Sequence, residues 1–357
     1  MERKNKTRER LIKHFEKYPE LQAEDIFKFI FQSAFGCEHL VSNETAALEY
    51  IKKEYSSLSD DVAERVEKLD GEYSRVHLSC LRDGLSPETL ARLFFLSAKK
   101  EENGAEELIE KLGVATELVR EGIIRLDREK FEKKLDEWRA AGYPALHHSD
   151  VFRGKYRPAY RVIADRYVAF LPLFERIDRL CKEQDNIIIA IEGPSASGKS
   201  TLAGMLSDIY DCNLLHMDDF FLRPEQRTEQ RLSEIGGNID RERFEEEVLS
   251  SLKCGENICF RAFDCGTQTL GEPICVERKR ITVIEGVYSM HPSFSRYYDL
   301  SVFLDIAPDL QRKRIGERNT PSFAKRFFEE WIPLEQRYFE GADVKARADM
   351  IIPVKEK

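Results

Sequence analysis

The sequence predicts two domains of different fold class: an all-α domain over residues 1–184, then an α/β domain over residues 185–357 whose parallel sheet is flanked by helices. Three observations predict this. Up to about residue 184, apolar residues recur at helical spacing and β-branched runs are few. Beyond it, short apolar segments alternate with helical ones, as in a parallel sheet covered on both faces. A glycine-rich loop directly follows the first apolar segment.

Helices dominate the prediction for the first domain. Residues 25–31 carry a strongly apolar helical pattern, and another helix is predicted to begin after Ser86, which suits an N-cap followed by Pro87 at the first helical position. A last helix is predicted over residues 161–181. The charged stretch 182–185 that follows it is the predicted domain boundary.

Strands are predicted where short apolar runs rich in β-branched residues occur in the second domain. Parallel sheets bind ligands at the carboxyl ends of their strands, so residues just after those ends are the candidates for chemistry. The predicted strands are 187–191, 213–216, 259–263, 281–284, 301–304 and 350–352.

Composition narrows the class of protein. The 357 residues, 42% hydrophobic and 34% charged, are enough for two domains with separate cores. The net charge of -9 disfavours a nucleic-acid partner held by bulk charge. A charged N-terminus and the lack of a long apolar run predict a cytoplasmic protein without a membrane partner, and a homo-oligomer is left open. The eight cysteines contain no C-x-x-C pair and are interpreted as ordinary thiols.

Residues 193–200 form a complete G-x-x-x-x-G-K-[ST] phosphate-binding loop after the strand 187–191. Its glycines let successive N–H groups turn inward around an anion, Lys199 reaches the outer phosphates, and the Ser200 hydroxyl is a ligand for Mg²⁺. The chain is therefore predicted to have a P-loop NTPase fold and to bind ATP with Mg²⁺. The predicted nucleotide-binding residues are Gly193, Ser195, Ala196, Ser197, Gly198, Lys199, Ser200 and Thr201.

Two carboxylates follow predicted strands. Asp218 comes after the strand 213–216 and is the candidate base that orients an acceptor hydroxyl and takes its proton. Glu285 ends the strand 281–284 and is the candidate for binding Mg²⁺ directly or through water. A surface acidic pair or helix cap remains open for Asp218, and a plain turn residue remains open for Glu285.

Basic residues lie at helical spacing further on, and the candidates for stabilising the transferred phosphoryl group are Arg314 and Arg318. A solvated basic helix face is the alternative for each of them.

Residues from about 186 to 357 resemble the uridine kinase and phosphoribulokinase-like branch of P-loop kinases. After the phosphate-binding loop, residues 217–221 look like the D-x-F-Y segment of that family, and residues 284–288 resemble its E-G-I segment. Residues 348–353 are similar to its closing A-D-V-I-I-P strand. The resemblance implies that Asp218 is the catalytic base and that the lid begins near Arg314. The predicted substrate-site residues are Asp240, Phe263 and Tyr288.

Two departures from the family concern the acceptor. The Y-D-x-x-x-H-S-R segment that reads the base in uridine kinases is replaced here by residues 263–270, which contain neither the histidine nor the arginine. The lid lacks an R-G-R cluster and carries Asn319 and Thr320 instead. A site that loses hydrogen-bonding groups changes its substrate, so a nucleoside acceptor is in doubt.

The first domain has no recognised family, and its role is predicted only as substrate-shaping, regulatory or dimerising. Its polar residues could form an anion or nucleotide pocket, or they could cap helices and fill a core. These residues are Gln32, Glu38, His39, Arg75, His77, His147, His148, Arg153, Tyr156, Arg157, Tyr160 and Arg161.

The predicted function is an ATP-dependent small-molecule kinase that phosphorylates a hydroxyl group, uridine kinase-like in its chemistry. The alternative is a nucleotide-dependent switch or RNA-associated ATPase whose helical half binds a partner.

Overall fold

The computed structural model describes residues 2–37, 43–58, 64–98 and 104–356. The chain forms two compact units, Met1–Arg179 and Leu180–Lys357. The sequence placed this boundary at residue 184. None of the helices in the described ranges is long and apolar enough to cross a membrane.

Helices make up most of the first unit, as predicted. The helix expected after Ser86 is present, and the Ser86 hydroxyl accepts a hydrogen bond from the Thr89 amide at 3.0 Å. The helices are α1 Glu2–Lys17, α2 Ala23–Phe35, α3 Glu44–Ser56, α4 Pro87–Leu96, α5 Gly104–Arg120, α6 Arg128–Ala140, α7 Asp150–Tyr156, α8 Asp165–Val168 and α9 Leu171–Glu183.

A three-stranded antiparallel sheet corrects the prediction of an all-α first domain. Its strands β1 Val66–Lys68, β2 Tyr73–His77 and β3 Tyr160–Ala164 lie in that order, and β3 also replaces the start of the helix predicted over 161–181. The central strand β2 buries the polar residues Ser74 and Arg75. The alternation of apolar and polar residues that marks a half-buried strand is therefore missing from the sequence.

A parallel sheet forms the centre of the second unit, as predicted. Its five strands lie in the order β10-β9-β4-β8-β5, every pair is parallel, and the strands β4 and β8 are buried along their whole length. The strands of this unit are β4 Ile187–Glu192, β5 Cys212–His216, β6 Ile258–Asp264, β7 Thr269–Val276, β8 Ile281–Glu285, β9 Leu300–Ile306 and β10 Met350–Val354.

The predicted strand 259–263 is present as β6 but lies outside the parallel sheet. It pairs antiparallel with β7, which the sequence did not predict because most of its residues are exposed and its pattern is weak. Cys259 faces Cys275 across this hairpin, and the two form a disulfide. The interpretation of all eight cysteines as thiols is therefore wrong for this pair.

Helices pack around the sheet of the second unit. Two π-helical turns join consecutive helices. Glu245–Leu249 joins α12 to α13, and Phe327–Trp331 joins α15 to α16. Short 3-10 helices cover Met217–Phe220, Pro224–Gln226 and Pro292–Tyr297. The helices are α10 Lys199–Ile209, α11 Glu229–Ser233, α12 Arg241–Phe244, α13 Ser250–Cys254, α14 Pro308–Arg318, α15 Pro321–Arg326 and α16 Ile332–Gly341.

Candidate active site

The phosphate-binding loop joins the buried central strand β4 to helix α10. Gly193 has φ of +144°, and a Cβ there would lie 2.6 Å from the Leu304 carbonyl oxygen, so only glycine fits. Gly198 has φ of +102° and precedes the first residue of α10. The loop thus makes the strand-to-helix turn expected of its motif, with the N-terminus of α10 facing the space inside the loop.

Lys199 is buried and folded back over the loop. Its Nζ donates to the carbonyl oxygens of Gly193 at 2.8 Å and Pro194 at 3.1 Å. The Ser197 hydroxyl is also buried, and its oxygen has no hydrogen-bond partner among the described residues. The loop therefore contains the Lys199 ammonium group and a Ser197 hydroxyl that has no hydrogen-bond partner among the described residues.

Glu285 and Ser200 meet at the mouth of the loop. Glu285 ends β8, the strand that pairs with β4, and its Oε1 accepts hydrogen bonds from the Ser200 hydroxyl at 3.0 Å and from His216 Nδ1 at 2.7 Å. Burial raises the pKa of Glu285, but the hydrogen bonds from His216 and Ser200 and the charge of Lys199 outweigh it, so the pKa is lowered. Glu285 is a carboxylate anion at neutral pH.

The Ser200 hydroxyl oxygen and the Glu285 carboxylate oxygen suit a magnesium ion. Hydroxyl and carboxylate oxygens are the hard ligands that Mg²⁺ prefers, and Mg²⁺ usually keeps several waters and substrate phosphates as further ligands. The described residues contain no group of three or more His, Cys, Asp or Glu that could hold a metal by itself. Ser200 and Glu285 would hold the ion, which would neutralise charge on the phosphates.

Asp218 lies at the carboxyl end of β5, the strand next to β8. Asp218 is exposed, and desolvation by the surrounding protein raises the pKa of its carboxylate. The charges of Lys199 and His216 oppose this shift, and that of Glu285 adds to it. Asp218 is therefore an accessible carboxylate within electrostatic reach of the groups at the loop.

Asp240 is buried before helix α12. Its carboxylate accepts hydrogen bonds from Gln226 Nε2 at 2.8 Å and from the Arg243 amide at 3.3 Å, which makes it the N-cap of α12. Arg243 also lies 3.5 Å from it and donates to the Asp219 carbonyl. This network fixes Asp240 beside the segment that carries Asp218.

The other two predicted substrate residues are buried. Phe263 lies on β6, with the Arg227 guanidinium 5.7 Å from its ring centre. Tyr288 has φ of +78° and packs its ring 4.7 Å from that of Tyr338. Burial raises the pKa of Tyr288. Both aromatic rings therefore support the walls of the region instead of projecting freely into it.

The two candidate arginines differ in their surroundings. Arg314 on α14 donates through Nη1 to the Ala196 carbonyl oxygen at 3.3 Å, so it touches the phosphate-binding loop. Arg318, one turn further along the helix, is exposed. The structure thus brings Arg314 to the loop and leaves Arg318 at the surface.

Sequence reasoning missed several titratable groups of this region, among them His216 and Glu192. His216 is the partner of Glu285, and its position at the end of β5, two residues before Asp218, was a usable signal. Glu192 ends β4, is fully buried, and accepts hydrogen bonds from the amides of Gly193 and Met290 at 3.1 and 3.0 Å. Burial raises the pKa of Glu192 to about 8, so it is mostly protonated at neutral pH.

Some of the polar residues singled out in the first unit do converge. Arg75 Nε donates to Gln32 Oε1 at 2.9 Å, and the Arg75 guanidinium lies 4.7 Å from the Tyr160 ring centre. His148 bonds the Tyr160 hydroxyl at 2.6 Å and the Asp25 carboxylate at 2.8 Å. These groups form a buried polar network.

Most of the remaining candidates of the first unit make local hydrogen bonds or ion pairs, or are exposed. His77 caps a 3-10 helix through the Ser79 amide, the Tyr156 hydroxyl accepts from the Glu20 amide, and Arg161 pairs with Glu54 at 2.9 Å. Arg153 pairs with Asp150 on its own helix. His147 and Arg157 are exposed, and Glu38 and His39 lie outside the described residues.

Comparisons with known proteins agree with the geometry of the second unit. Residues 188–320 match the model of the Phosphoribulokinase / Uridine kinase family. The resemblance to uridine kinase and phosphoribulokinase-like P-loop kinases is thus confirmed for the C-terminal half of the chain. The matched stretch contains the phosphate-binding loop, Asp218, Glu285 and Arg314, and it leaves out the first unit.

Individual relatives are distant. A protein of Schizosaccharomyces pombe, provisionally named a uridine kinase, is 27% identical in an alignment of 191 positions that covers 46% of this chain and 79% of the relative. The phosphoribulokinase of Synechocystis is 25% identical over 130 residues, 35% of this chain and 39% of that protein. The structure of a possible uridine kinase from Bacillus stearothermophilus is similar over 51% of this chain and 99% of that one, with 24% identity and a TM-score of 0.39.

Proposed function

We propose that the second unit is an Mg-ATP-dependent phosphotransferase that transfers the outer phosphate of ATP to a hydroxyl group of a small metabolite. One observation carries the proposal. The Ser200 hydroxyl and the Glu285 carboxylate meet at 3.0 Å at the mouth of a phosphate-binding loop, and Asp218 follows the strand next to Glu285. A pair of oxygens suited to Mg²⁺, a phosphate-binding loop and an accessible carboxylate thus lie at neighbouring strand ends.

Each of these residues would have a separate role in phosphoryl transfer. Lys199 would turn from the loop carbonyls to the outer phosphates and neutralise them, and Ser200 and Glu285 would hold a Mg²⁺ ion, which would supply further positive charge to the transition state. Asp218 orients the acceptor hydroxyl and accepts its proton. A carboxylate whose pKa is raised is a better base than an ordinary one, which favours this role.

The acceptor region supports a small polar substrate. Asp240 is held by Gln226 and Arg243, and Arg243 also holds the backbone of Asp219, next to the proposed base. A buried, hydrogen-bonded arrangement of this kind rejects molecules that leave its groups unpaired. Arg314 at the loop, with Arg318 once the substrates are bound, would stabilise the charge of the transferred group.

The test is ADP release from Mg-ATP, and from Mg-GTP for comparison, across a panel of nucleosides, phosphorylated sugars, pantothenate and other hydroxyl metabolites. Asp218→Asn tests the base, and Asp219→Asn is its matched control because it removes the neighbouring carboxylate. We expect one acceptor to stimulate turnover at least about 100-fold more in the wild type than in Asp218→Asn, with nucleotide binding unchanged. Asp219→Asn should retain most of the activity.

Two results would contradict the proposal. Slow hydrolysis that no acceptor stimulates would favour the nucleotide-dependent switch. Equal activity of wild type and Asp218→Asn with the true acceptor would remove Asp218 from the mechanism. Lys199→Ala should weaken nucleotide binding in either case, because both functions need the phosphate-binding loop.

A further inference from the structure

Two helices of the second unit contact the phosphate-binding loop and the strand end before it with pairs of side chains spaced three residues apart. Helix α14 presents Gln311 and Arg314 to the loop, and helix α16 presents Glu335 to the loop and Tyr338 to Glu192, the last residue of β4. Residues three apart lie on the same face of a helix, so each helix turns one polar face to this region. The segment 319–331, which connects the two helices, is therefore anchored to the loop on both sides.

The contacts converge on Ser195. Its amide donates to Glu335 Oε2 at 3.0 Å, its hydroxyl donates to Glu335 Oε1, and its carbonyl oxygen accepts from Gln311 Nε2 at 3.0 Å. Every polar group of Ser195 is thus bound by a side chain from outside the loop. Glu335 and Gln311 are only 5% and 6% exposed, so water competes poorly for these bonds.

The Glu335 carboxylate also interacts electrostatically with Lys199 and Asp218, two residues that the proposed function assigns to phosphoryl transfer. Burial raises its pKa, the Ser195 hydrogen bonds and the Lys199 charge lower it, and the Asp218 charge raises it. Both Lys199 and Asp218 therefore lie close enough to feel this carboxylate. A contact that served packing alone would be made more cheaply by an apolar side chain, because a buried carboxylate is costly unless its charge is used.

We propose that Glu335 is a positioning residue of the phosphate-binding loop, which holds the Ser195 turn in the shape that receives the outer phosphates of the nucleotide. The two carboxylate oxygens match the two donors of one loop residue, so a single side chain fixes both the backbone and the hydroxyl of Ser195. The inference rests on the proposed function only in that the loop binds a nucleoside triphosphate. It requires no particular acceptor.

The test is the dissociation constant of Mg-ATP for purified full-length variants, with thermal unfolding measured on each. Glu335→Ala should bind Mg-ATP about tenfold or more weakly, since two hydrogen bonds to a charged group are lost. Glu335→Gln keeps the shape and one acceptor oxygen, so it should recover part of the loss. Glu340→Ala, which removes an exposed carboxylate from the same helix, should bind like the wild type.

A double-mutant cycle with Ser195→Ala isolates the contact. If Glu335 acts through Ser195, the losses in the double variant Ser195→Ala/Glu335→Ala should be clearly less than the product of the single losses. Losses of binding free energy that simply add, so that the fold-changes in the dissociation constant multiply, would overturn the proposal. So would binding by Glu335→Ala that equals or exceeds that of the wild type, because Glu335 would then be idle or would compete with the phosphates.

The experiment can still decide the role of Glu335 if one variant does not fold or if no acceptor is found. Should Glu335→Ala not fold, Glu335→Gln and Ser195→Ala supply the same comparison with milder changes. Should no acceptor be found for the wild type, the proposed phosphotransferase would fail while the binding series still decided the role of Glu335.

Discussion

At the scale of single residues, Glu285 is the carboxylate that the proposed function assigns to Mg²⁺. Its Oε1 accepts hydrogen bonds from Ser200 and His216, and a cation bound there would replace these contacts. Replacing the carboxylate by an amide of the same shape leaves the packing intact and removes the charge. The effect of Glu285→Gln therefore reports on the metal and not on the fold.

We expect Glu285→Gln to raise the Mg²⁺ concentration for half-maximal nucleotide-dependent turnover about tenfold or more, since a charged oxygen ligand is lost. The measurement is a Mg²⁺ titration at fixed ATP. Glu277→Gln is the control, because Glu277 is an exposed carboxylate that precedes the same strand. An unchanged Mg²⁺ dependence in Glu285→Gln would exclude Glu285 as a metal-binding residue.

A second single-residue prediction concerns His148 in the first unit. It is buried, bonds Asp25 and Tyr160, and stacks 4.2 Å from the Phe152 ring. Burial lowers the pKa of His148 from 6.5 to about 4, although the hydrogen bond to Asp25 opposes this. The unfolded chain therefore binds more protons than the folded one between these pH values, and stability falls as the pH falls through this window.

The loss attributable to His148 between pH 6.5 and 4 is up to about 3 kcal/mol. His148→Gln should flatten the fall of the unfolding temperature with decreasing pH, whereas His147→Gln, which changes the exposed neighbour, should keep the wild-type slope. The measurement is thermal unfolding at several pH values across this window. Parallel slopes for wild type and His148→Gln would show that other groups control the acid sensitivity.

Residue-level contacts were predictable only where the chain itself brings groups to one sheet edge. The phosphate-binding motif identified Ser200, the acidic end of a predicted strand identified Glu285, and both lie at the same edge because β4 and β8 are adjacent. The bond between Ser195 and Glu335 joins residues 140 positions apart, and that between Ser195 and Gln311 joins residues 116 apart. No motif or periodicity links such pairs, because their contact depends on how two helices pack against the loop.

At the scale of elements, burial decided which strands the sequence revealed. Strands β4 and β8 are buried throughout and consist mostly of β-branched residues. Strand β7 is mostly exposed and contains Gly271 and Pro273, and β2 mixes buried polar with apolar residues, so neither has a recognisable pattern. The parallel sheet was therefore predicted, while the antiparallel pairs were missed.

The junction between β4 and α10 gives a prediction for an element. Gly193→Ala puts a Cβ 2.6 Å from the Leu304 carbonyl oxygen at a φ of +144°, so β4, β9 or the loop must shift. We expect a loss of about 2 kcal/mol or more in stability and a matching loss of nucleotide binding. Denaturant unfolding and an ATP-binding measurement test this.

Gly204→Ala is the matched control for that change. Gly204 lies inside α10, and a Cβ there meets no atom within 4 Å. Alanine in a helix interior stabilises by about 0.5–1 kcal/mol relative to glycine. Destabilisation by both substitutions to the same extent would argue against the steric explanation for Gly193.

At the scale of the whole molecule, the chain consists of two compact units, Met1–Arg179 and Leu180–Lys357. The first contains the polar network around His148 and Arg75, and the second contains the phosphate-binding loop and the parallel sheet. A ligand of the loop and a proton taken up near His148 therefore act on different units. Two compact units are expected to unfold in separate steps.

Calorimetry of the full chain should consequently show two transitions that respond to different conditions. Mg-ATP at 100 times its dissociation constant stabilises the unit that binds it by about 2.7 kcal/mol, so one transition should rise by several degrees while the other stays. Lowering the pH from 7 to 5 should lower the other transition, because protonation of His148 favours the unfolded first unit. Lys199→Ala should abolish the response to Mg-ATP and leave the response to pH. A single transition that moves with both conditions would instead mean that the first unit is energetically coupled to nucleotide binding, which would make it a regulatory part of the enzyme.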